Sequence, residues 1–259
     1  MFGDIVARRP FLRKMFYRLL DLMFLRTWHV KKEIKGLYER NDKLDIFDAG
    51  MGFGQYSYFM ARYFRNCSLF GIDVKDEQVE DCNFFFGKCG YKNTKFEIGD
   101  LTKIDYNEKF DFILNVDVME HIVEDELVLK NFAVALRKGG KLLINTPSDL
   151  GGSDAHDHDD ESFIEEHARN GYSKEDITSK VERAGLKVKS FRYAYGKFGT
   201  ISWRFGIKYP ILIAGVSKIF ILLLPFYYMF TLWFVLILMW LDTITENKEG
   251  TGVILVAEK

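Results

Sequence analysis

Cysteine is scarce in this sequence, and its charges almost cancel. Among 259 residues there are only three cysteines, Cys67, Cys82 and Cys89, which form neither a C-x-x-C pair nor a disulfide framework. We therefore expect reduced thiols in a cytoplasmic protein. Neither a cleavable signal peptide nor an internal repeat is evident. The formal net charge of −1 gives no general attraction to nucleic acid, so no nucleic-acid partner is predicted.

A glycine-rich loop follows the first strongly apolar segment. Residues 44–49 predict a β-strand, and Gly50, Gly52 and Gly54 come next at alternate positions, before a helix that begins near Gln55. Because glycine has no Cβ, such a loop can take positive φ and let a ligand lie against bare backbone. A strand, a glycine-rich turn and a helix form the first unit of a doubly wound α/β fold, whose ligands bind at the carboxyl ends of the strands.

Two cofactor classes compete for this loop. Dinucleotide-binding folds use the spacing G-x-G-x-x-G, whereas the spacing here is G-x-G-x-G. Asp48 lies two residues ahead of the first glycine, where a carboxylate would repel a pyrophosphate and attract a sulfonium or amino group. The loop therefore favours S-adenosylmethionine over NAD. An NAD(P)-dependent oxidoreductase is one alternative, and a non-catalytic membrane scaffold that retains the fold is another.

From this loop onward the sequence resembles the class I S-adenosylmethionine-dependent methyltransferases. Five segments follow the order of that family, at residues 48–54, 69–73, 96–101, 110–122 and 136–147. The Glu-His pair at residues 120–121 is similar to that of the ubiquinone-biosynthesis O-methyltransferases. The resemblance implies that the glycine loop passes under the methionine part of the cofactor, that Asp73 bonds the ribose hydroxyls and that Asp100 meets the adenine amino group. The predicted cofactor-binding residues are Asp48, Gly50, Gly52, Gly54, Asp73, Val74, Asp100, Leu101 and Asn115.

Three histidines are candidates for a general base. Methyl transfer from a sulfonium requires alignment of donor and acceptor, exclusion of water and removal of any acceptor proton. His121 lies at the carboxyl end of the fourth predicted strand, beside the expected methyl position. His156 and His167 lie in an acidic segment, residues 149–172, that would cap the acceptor site. An unperturbed histidine titrates near neutrality. The spacing His156-x-His158 is not diagnostic of a metal centre, and no metal site is predicted.

The remaining pattern predicts a doubly wound, Rossmann-like α/β fold. It has a seven-stranded, mostly parallel sheet whose last strand is antiparallel. Strands are predicted near 44–49, 68–73, 94–99, 110–116, 140–146, 186–195 and 252–257, and helices near 55–65, 76–88, 121–137 and 175–184. The predicted domains are an N-terminal amphipathic helical region at 1–40, the cofactor-binding core at 41–208, a hydrophobic helical hairpin at 209–244 and the last strand of the core at 245–259.

Two segments predict contact with a membrane. Residues 1–40 carry ten basic and four acidic residues, interleaved with apolar residues at helical spacing, which indicates a basic amphipathic helix that acts as a membrane-surface element, as a lid over the cofactor, or only as packing on the sheet. Residues 209–241 contain a single charged residue, Lys218. Because Pro225 disfavours an unbroken helix, we predict two helices, Ile211–Leu224 and Phe226–Leu241.

These features together predict a methyltransferase that works at a membrane. The expected acceptor is a hydrophobic small molecule or lipid, such as a quinone-like phenol or a polyene, with O-methylation as the expected reaction. The expected location is the cytoplasmic face of a membrane, with monotopic or peripheral attachment. A hydrophobic protein interface and a closed lid over an apolar substrate are the alternatives for the hairpin.

Overall fold

A seven-stranded sheet forms the centre of the molecule, in a computed structural model that describes residues 9–151, 168–216 and 218–259. The strand order is β3-β2-β1-β4-β5-β7-β6. The strands are β1 Lys43–Ala49, β2 Asn66–Asp73, β3 Thr94–Ile98, β4 Phe110–Val116, β5 Leu136–Pro147, β6 Lys187–Ala194 and β7 Gly252–Glu258. The nearly continuous buried runs of β1, β4 and β7, inside the sheet, are typical of strands covered on both faces, whereas the edge strands β3 and β6 carry charged residues.

Strand direction places the ends of most strands at one edge. Strands β1 to β5 are mutually parallel, and β7 is antiparallel to both of its neighbours, β5 and β6. Strand β6 therefore runs in the same direction as β5. The edge at which β1 to β6 end is called the carboxyl edge below. The predicted fold class, with its antiparallel last strand, is confirmed.

Helices cover both faces of the sheet and continue beyond the carboxyl edge. The α-helices are α1 Pro10–Met23, α2 Leu25–Leu37, α3 Gln55–Tyr63, α4 Asp76–Lys88, α5 Asp125–Ala135, α6 Lys174–Arg183, α7 Lys197–Trp203, α8 Tyr209–Val216 and α9 Leu224–Ile244. Short 3-10 segments span Met119–His121 and Lys218–Leu223, and a π-helical segment spans Arg204–Lys208. The predicted helix at 121–137 is therefore shorter, because the chain leaves β4 through a 3-10 turn.

The N-terminal region forms two helices where the sequence predicted one. The break is at Phe24, whose backbone is extended with φ −102° and ψ 111°. Across it, the Trp28 indole N–H donates to the Asp21 carbonyl at 2.8 Å. Tyr17 of α1 and Val30 of α2 belong to the apolar cluster on one face of the sheet. Both helices are thus parts of the folded core.

The hydrophobic hairpin between β6 and β7 is present, with boundaries that differ from the prediction. The first limb runs through the π-helical segment, α8 and the 3-10 segment, and the second limb is α9. Pro225 lies in the first turn of α9, where its missing N–H has no intrahelical partner to lose. The Tyr227 and Tyr228 hydroxyls donate to the carbonyls of Phe205 and Gly206, at 2.7 and 2.8 Å. Residues 204–244 are called the apolar arm below.

Candidate functional site

The glycine loop joins β1 to α3 at the carboxyl edge. Gly50, Gly52 and Gly54 have φ of 79°, 52° and 74°, in the region that favours glycine. A Cβ on Gly50 would collide with the Val118 side chain, and a Cβ on Gly54 would lie 2.8 Å from the Cys82 sulfur. The loop therefore requires glycine at these positions for its backbone conformation and close packing, while a ligand against its backbone stays a prediction.

Asp48 is a buried acid beneath this loop. Its carboxylate accepts a hydrogen bond of 2.5 Å from the Ser57 hydroxyl of α3, and its side chain is almost completely buried. Burial raises the pKa of Asp48 to about 7, against the lowering effect of the Ser57 hydrogen bond. A cationic group placed beside this carboxylate would favour its charged form. Asp48 thus fits the positive end of an S-adenosylmethionine molecule.

Titration of Asp48 should make the stability of the cofactor-free protein depend on pH. The pKa is higher in the folded protein than the usual 3.8, so the folded state retains a proton that the unfolded state releases. Stability is therefore lost as pH rises toward 7. Each pKa unit corresponds to about 1.4 kcal/mol, so the loss between pH 5 and pH 8 should be at most about 3 kcal/mol.

Asp48→Asn keeps an oxygen for Ser57 and should remove this part of the pH dependence. We expect the thermal unfolding midpoint of the wild type to fall by several degrees relative to Asp48→Asn between pH 5 and pH 8. The difference between the two proteins cancels the titration of all other groups. Parallel pH profiles would contradict a buried, protonated Asp48.

Asp73 ends β2 and faces the glycine loop. Its two carboxylate oxygens accept hydrogen bonds from the Gly52 N–H at 2.9 Å and from the Lys75 N–H at 3.0 Å. Each oxygen has a second lone pair, which is what a pair of ribose hydroxyls would require. The Val74 side chain beside it is exposed. The arrangement fixes the orientation of the predicted ribose acceptor.

Asp100 and Leu101 follow β3 at the same edge. Asp100 accepts from the Thr102 N–H and hydroxyl at 2.9 and 2.7 Å, and Lys103 lies 2.8 Å away. The hydrogen bond from Lys103, followed by those from Thr102, lowers the pKa of Asp100 to about 2. Leu101 is buried, and its carbonyl accepts from the Asn131 side chain at 3.0 Å. Asp100 is thus a fixed carboxylate at the position predicted for adenine.

Asn115 connects the end of β4 to the end of β1. Its amide nitrogen donates to the Ala49 carbonyl at 2.9 Å, and the side chain is fully buried. Among the described residues, its amide oxygen has no hydrogen-bond partner. A buried acceptor without a partner is costly and calls for an explanation. An amino group of a cofactor held by the glycine loop would supply the missing donor.

A polar cluster lies beside Asn115, and its Arg26 and Asp117 were not among the predicted site residues. Arg26 of α2 forms an ion pair with Asp117, and its backbone N–H donates to the Tyr195 hydroxyl at 3.1 Å. Asp117 and Tyr195 have positive φ of 51° and 55°, which is unusual for residues other than glycine and clusters at functional sites. The Tyr56 hydroxyl is buried without a partner in the described structure. Asp117 and Tyr195 directly follow strands β4 and β6. Their positions just after predicted strands are the sequence feature that could have indicated this cluster.

The candidate bases are only partly within the described structure. His121 is exposed at the end of the 3-10 turn after β4, whereas the preceding Glu120 is buried and accepts from the Thr146 hydroxyl at 3.0 Å. His156 and His167 lie outside the described residues. Tyr172, the last residue of the acidic segment, is buried in the core, with its hydroxyl 2.8 Å from Asp125. Within the described ranges, no group of three or more His, Cys, Asp or Glu residues could hold a metal ion.

Comparison with known sequences relates the chain to methyltransferases. The profile of a methyltransferase domain family matches residues 40–185. (S)-Coclaurine N-methyltransferase of Papaver somniferum is 29% identical over 106 residues, which are 40% of this chain and 29% of that protein. Ubiquinone biosynthesis O-methyltransferase of Pelagibacter ubique is 28% identical over 103 residues, which are 40% of this chain and 42% of that protein. The chain spans less than half the length of these relatives.

Solved structures share the fold. Phosphoethanolamine N-methyltransferase 2 of Haemonchus contortus, in complex with S-adenosyl-L-methionine, matches with a TM-score of 0.66 and 15% identity, over 100% of this chain and 60% of that one. A methyltransferase from Aquifex aeolicus that depends on the same cofactor matches with a TM-score of 0.53 and 20% identity, over 71% of this chain and 92% of that one. Because the family profile covers more than half of the sequence, the chain belongs to the methyltransferase domain family, which confirms the predicted S-adenosylmethionine-dependent class, fold and cofactor.

Proposed function

We propose that this protein transfers a methyl group from S-adenosylmethionine to an oxygen of a hydrophobic molecule that resides in a membrane. The observation that carries the proposal is the position of the apolar arm, which leaves the sheet at the carboxyl edge, where the cofactor residues lie. Acceptors of this kind include quinone-like phenols, polyenes and lipids. Methyl transfer as the reaction is supported by the family match, and a hydrophobic acceptor is supported by the exposed apolar arm.

The residues at the carboxyl edge divide the work of such a reaction. Asp48, Asp73 and Asn115 would hold the cofactor, which supplies an already activated methyl group when bound. The protein's contribution is then alignment of the acceptor, exclusion of water and removal of a proton. His121 is exposed at this edge and is the one of the three candidate bases that lies within the described residues. The Arg26–Asp117 pair would lie on the acceptor side.

The apolar arm exposes an extensive hydrophobic surface. In an 18-residue window of Ile221–Ile244 that has a mean hydropathy of 2.2, only 11% of the residues are buried. Fully burying one large apolar side chain is worth about 1.5–3 kcal/mol. Exposed patches of this extent mark interaction surfaces. The large exposed side chains of α9 include Phe226, Met229, Phe230, Trp233, Phe234, Ile237 and Trp240.

The packing of α9 supports monotopic attachment. Val235, Leu238 and Met239 are buried, and Val235 and Met239 pack with Leu25 of α2. About ten residues of α9 precede this anchored part, a length of about 16 Å at about 1.5 Å per residue. The hydrocarbon core of a bilayer is about 30 Å thick. The free part of the arm would therefore enter one leaflet, and the chain would return to β7 on the same side.

The acceptor class can be tested with labelled cofactor and membrane lipids. The purified protein is incubated with lipid-extract vesicles and S-adenosylmethionine carrying an isotopically labelled methyl group, and the extract is analysed by mass spectrometry. We expect label in a lipid-phase molecule, in a product whose fragmentation locates the methyl on oxygen. Label on nitrogen would favour N-methylation, and label only in water-soluble products would contradict the proposal.

The same lipid-extract vesicles test whether the apolar arm binds to membranes. Phe230→Ser combined with Trp233→Ser removes two side chains that are 76% and 74% exposed. We expect at least about 100-fold weaker partition into vesicles and unchanged S-adenosylhomocysteine affinity. The matched control is Phe84→Ser with Val134→Ser, which removes two exposed apolar side chains from α4 and α5. Release of all wild-type protein from membranes by a high-salt wash would contradict insertion of the arm.

A further inference from the structure

The outer face of α1 carries an uncovered apolar stripe. Phe11, Met15 and Leu19 recur four residues apart and are 72%, 50% and 54% exposed. Residues spaced by four lie on the same side of a helix. The ring of Phe16 lies 5.9 Å from the ring of Phe53 in the glycine loop. The stripe therefore borders the loop at the carboxyl edge, the same edge from which the apolar arm extends.

Basic side chains flank this stripe. Lys14 and Arg18 lie one turn apart along its side, and Arg9 precedes the helix. In the part of the chain that the structure describes, no acidic side chain pairs with Lys14 or Arg18. The one acid of α1, Asp21, lies 2.5 Å from Lys31, on α2. The outer face of α1 thus presents apolar groups and positive charge together.

The inner face of α1 is firmly fixed to the fold. Arg13 and Tyr17 are buried, and both donate hydrogen bonds to the Phe53 carbonyl, that of Arg13 measuring 2.6 Å. Arg13 also donates to the Asp81 carbonyl of α4 at 2.8 Å. A buried polar anchor of this kind fixes the rotation of the helix about its axis. The apolar stripe is therefore held outward, and it cannot be covered by a roll of α1 onto the sheet.

We propose that α1 docks on an anionic lipid surface through Phe11, Met15 and Leu19, with Lys14 and Arg18 facing the acidic head groups. An apolar stripe flanked by Lys and Arg is the pattern of helices that lie in the membrane interface, and the cations add attraction to anionic lipid. The inference rests on the membrane association proposed above. It adds a second contact with lipid, which differs from that of the apolar arm because it recognises anionic head groups. With α1 and the apolar arm both engaged, the carboxyl edge would face the membrane.

The test compares neutral and anionic vesicles. One set contains phosphatidylcholine alone, and the other contains about one part phosphatidylglycerol to three parts phosphatidylcholine. Each cation near an anionic surface contributes about a factor of five, so Lys14→Gln with Arg18→Gln should weaken partition into anionic vesicles about 30-fold. Partition into neutral vesicles should be unchanged. The control, Lys43→Gln with Lys138→Gln, removes the same charge from exposed positions at the opposite edge of the sheet.

The outcomes separate this inference from the proposed function. If the Lys14/Arg18 variant and the control partitioned equally into anionic vesicles, docking through α1 would be overturned. The loss of partition expected for the Phe230/Trp233 variant would still support the proposed function. If the wild type showed no preference for anionic vesicles, the inference would also fail. A second variant, Met15→Ser with Leu19→Ser, should weaken partition into both kinds of vesicle. Unchanged thermal midpoints and S-adenosylhomocysteine affinity would show that the α1 variants are folded.

Discussion

Replacement of Asp73 by alanine is expected to weaken S-adenosylhomocysteine binding at least about 100-fold. A hydrogen bond to a charged group contributes about 1.5–3 kcal/mol, and the predicted role of Asp73 is to accept two from the ribose hydroxyls. The substitution also removes the acceptor for the Gly52 N–H, which holds the glycine loop against β2, and for the Lys75 N–H in the turn after β2. Titration calorimetry with the purified protein measures the affinity directly.

The control for this substitution is Asp76→Ala. Asp76 is an exposed acid three residues further along the chain, at the start of α4. It carries the same charge and, among the described residues, accepts only from the neighbouring Glu77 N–H. We expect its loss to change the affinity less than about threefold. Unchanged binding by a folded Asp73→Ala protein would place the ribose site elsewhere.

Replacement of Asp242 by alanine is expected to lower the free energy of unfolding more than the other substitutions proposed above. Asp242 is fully buried near the end of α9 and accepts hydrogen bonds from His29 at 2.9 Å, from the Gly199 N–H at 2.9 Å and from the Tyr195 N–H at 3.1 Å. These donors belong to α2, to α7 and to the turn after β6. Removing one member of a buried, hydrogen-bonded cluster costs about 3–5 kcal/mol, because the remaining groups lose their partner. We expect the thermal midpoint to fall by about 10 °C or more.

Thr243→Ala provides a matched comparison in the same helical turn. The Thr243 side chain is also largely buried, but its hydroxyl donates only to the Met239 carbonyl within α9, at 2.7 Å. A single neutral hydrogen bond contributes about 1 kcal/mol, so this midpoint should fall by only a few degrees. Equal midpoints for the two variants would show that Asp242 does not tie α9 to the rest of the protein.

Local patterns in the sequence were sufficient for most of the fold. The helix predicted at 76–88 coincides with Asp76–Lys88, because an acidic first turn and a glycine-containing end mark both of its limits. The strand predicted at 110–116 coincides with Phe110–Val116 because five of its seven residues are apolar, and only Asp111 and Asn115 interrupt them. Glycine spacing and Asp48 indicated the cofactor class because the ligand would meet consecutive residues of one loop.

Features made by residues far apart in the sequence could not be predicted. His29 and Asp242 are separated by 213 positions, and neither lies in a recognisable motif. The break at Phe24 has no proline or glycine to announce it, and the two helices are held in place by tertiary contacts. Arg13 was counted among basic residues of an amphipathic helix, yet it is buried against α4 and the glycine loop. Burial of an arginine depends on partners that only the folded chain brings together.

The internal position of β7 has a consequence for how the protein is made. Strand β7 lies between β5 and β6, yet it is the last strand to leave the ribosome. Until then, β5 and β6 lack their shared neighbour, and the apolar arm between β6 and β7 has already been synthesised. On the proposed function, the arm would be available to lipid before β7 completes the sheet. Membrane engagement would then be an early step in biogenesis, and closure of the sheet by β7 would come after it.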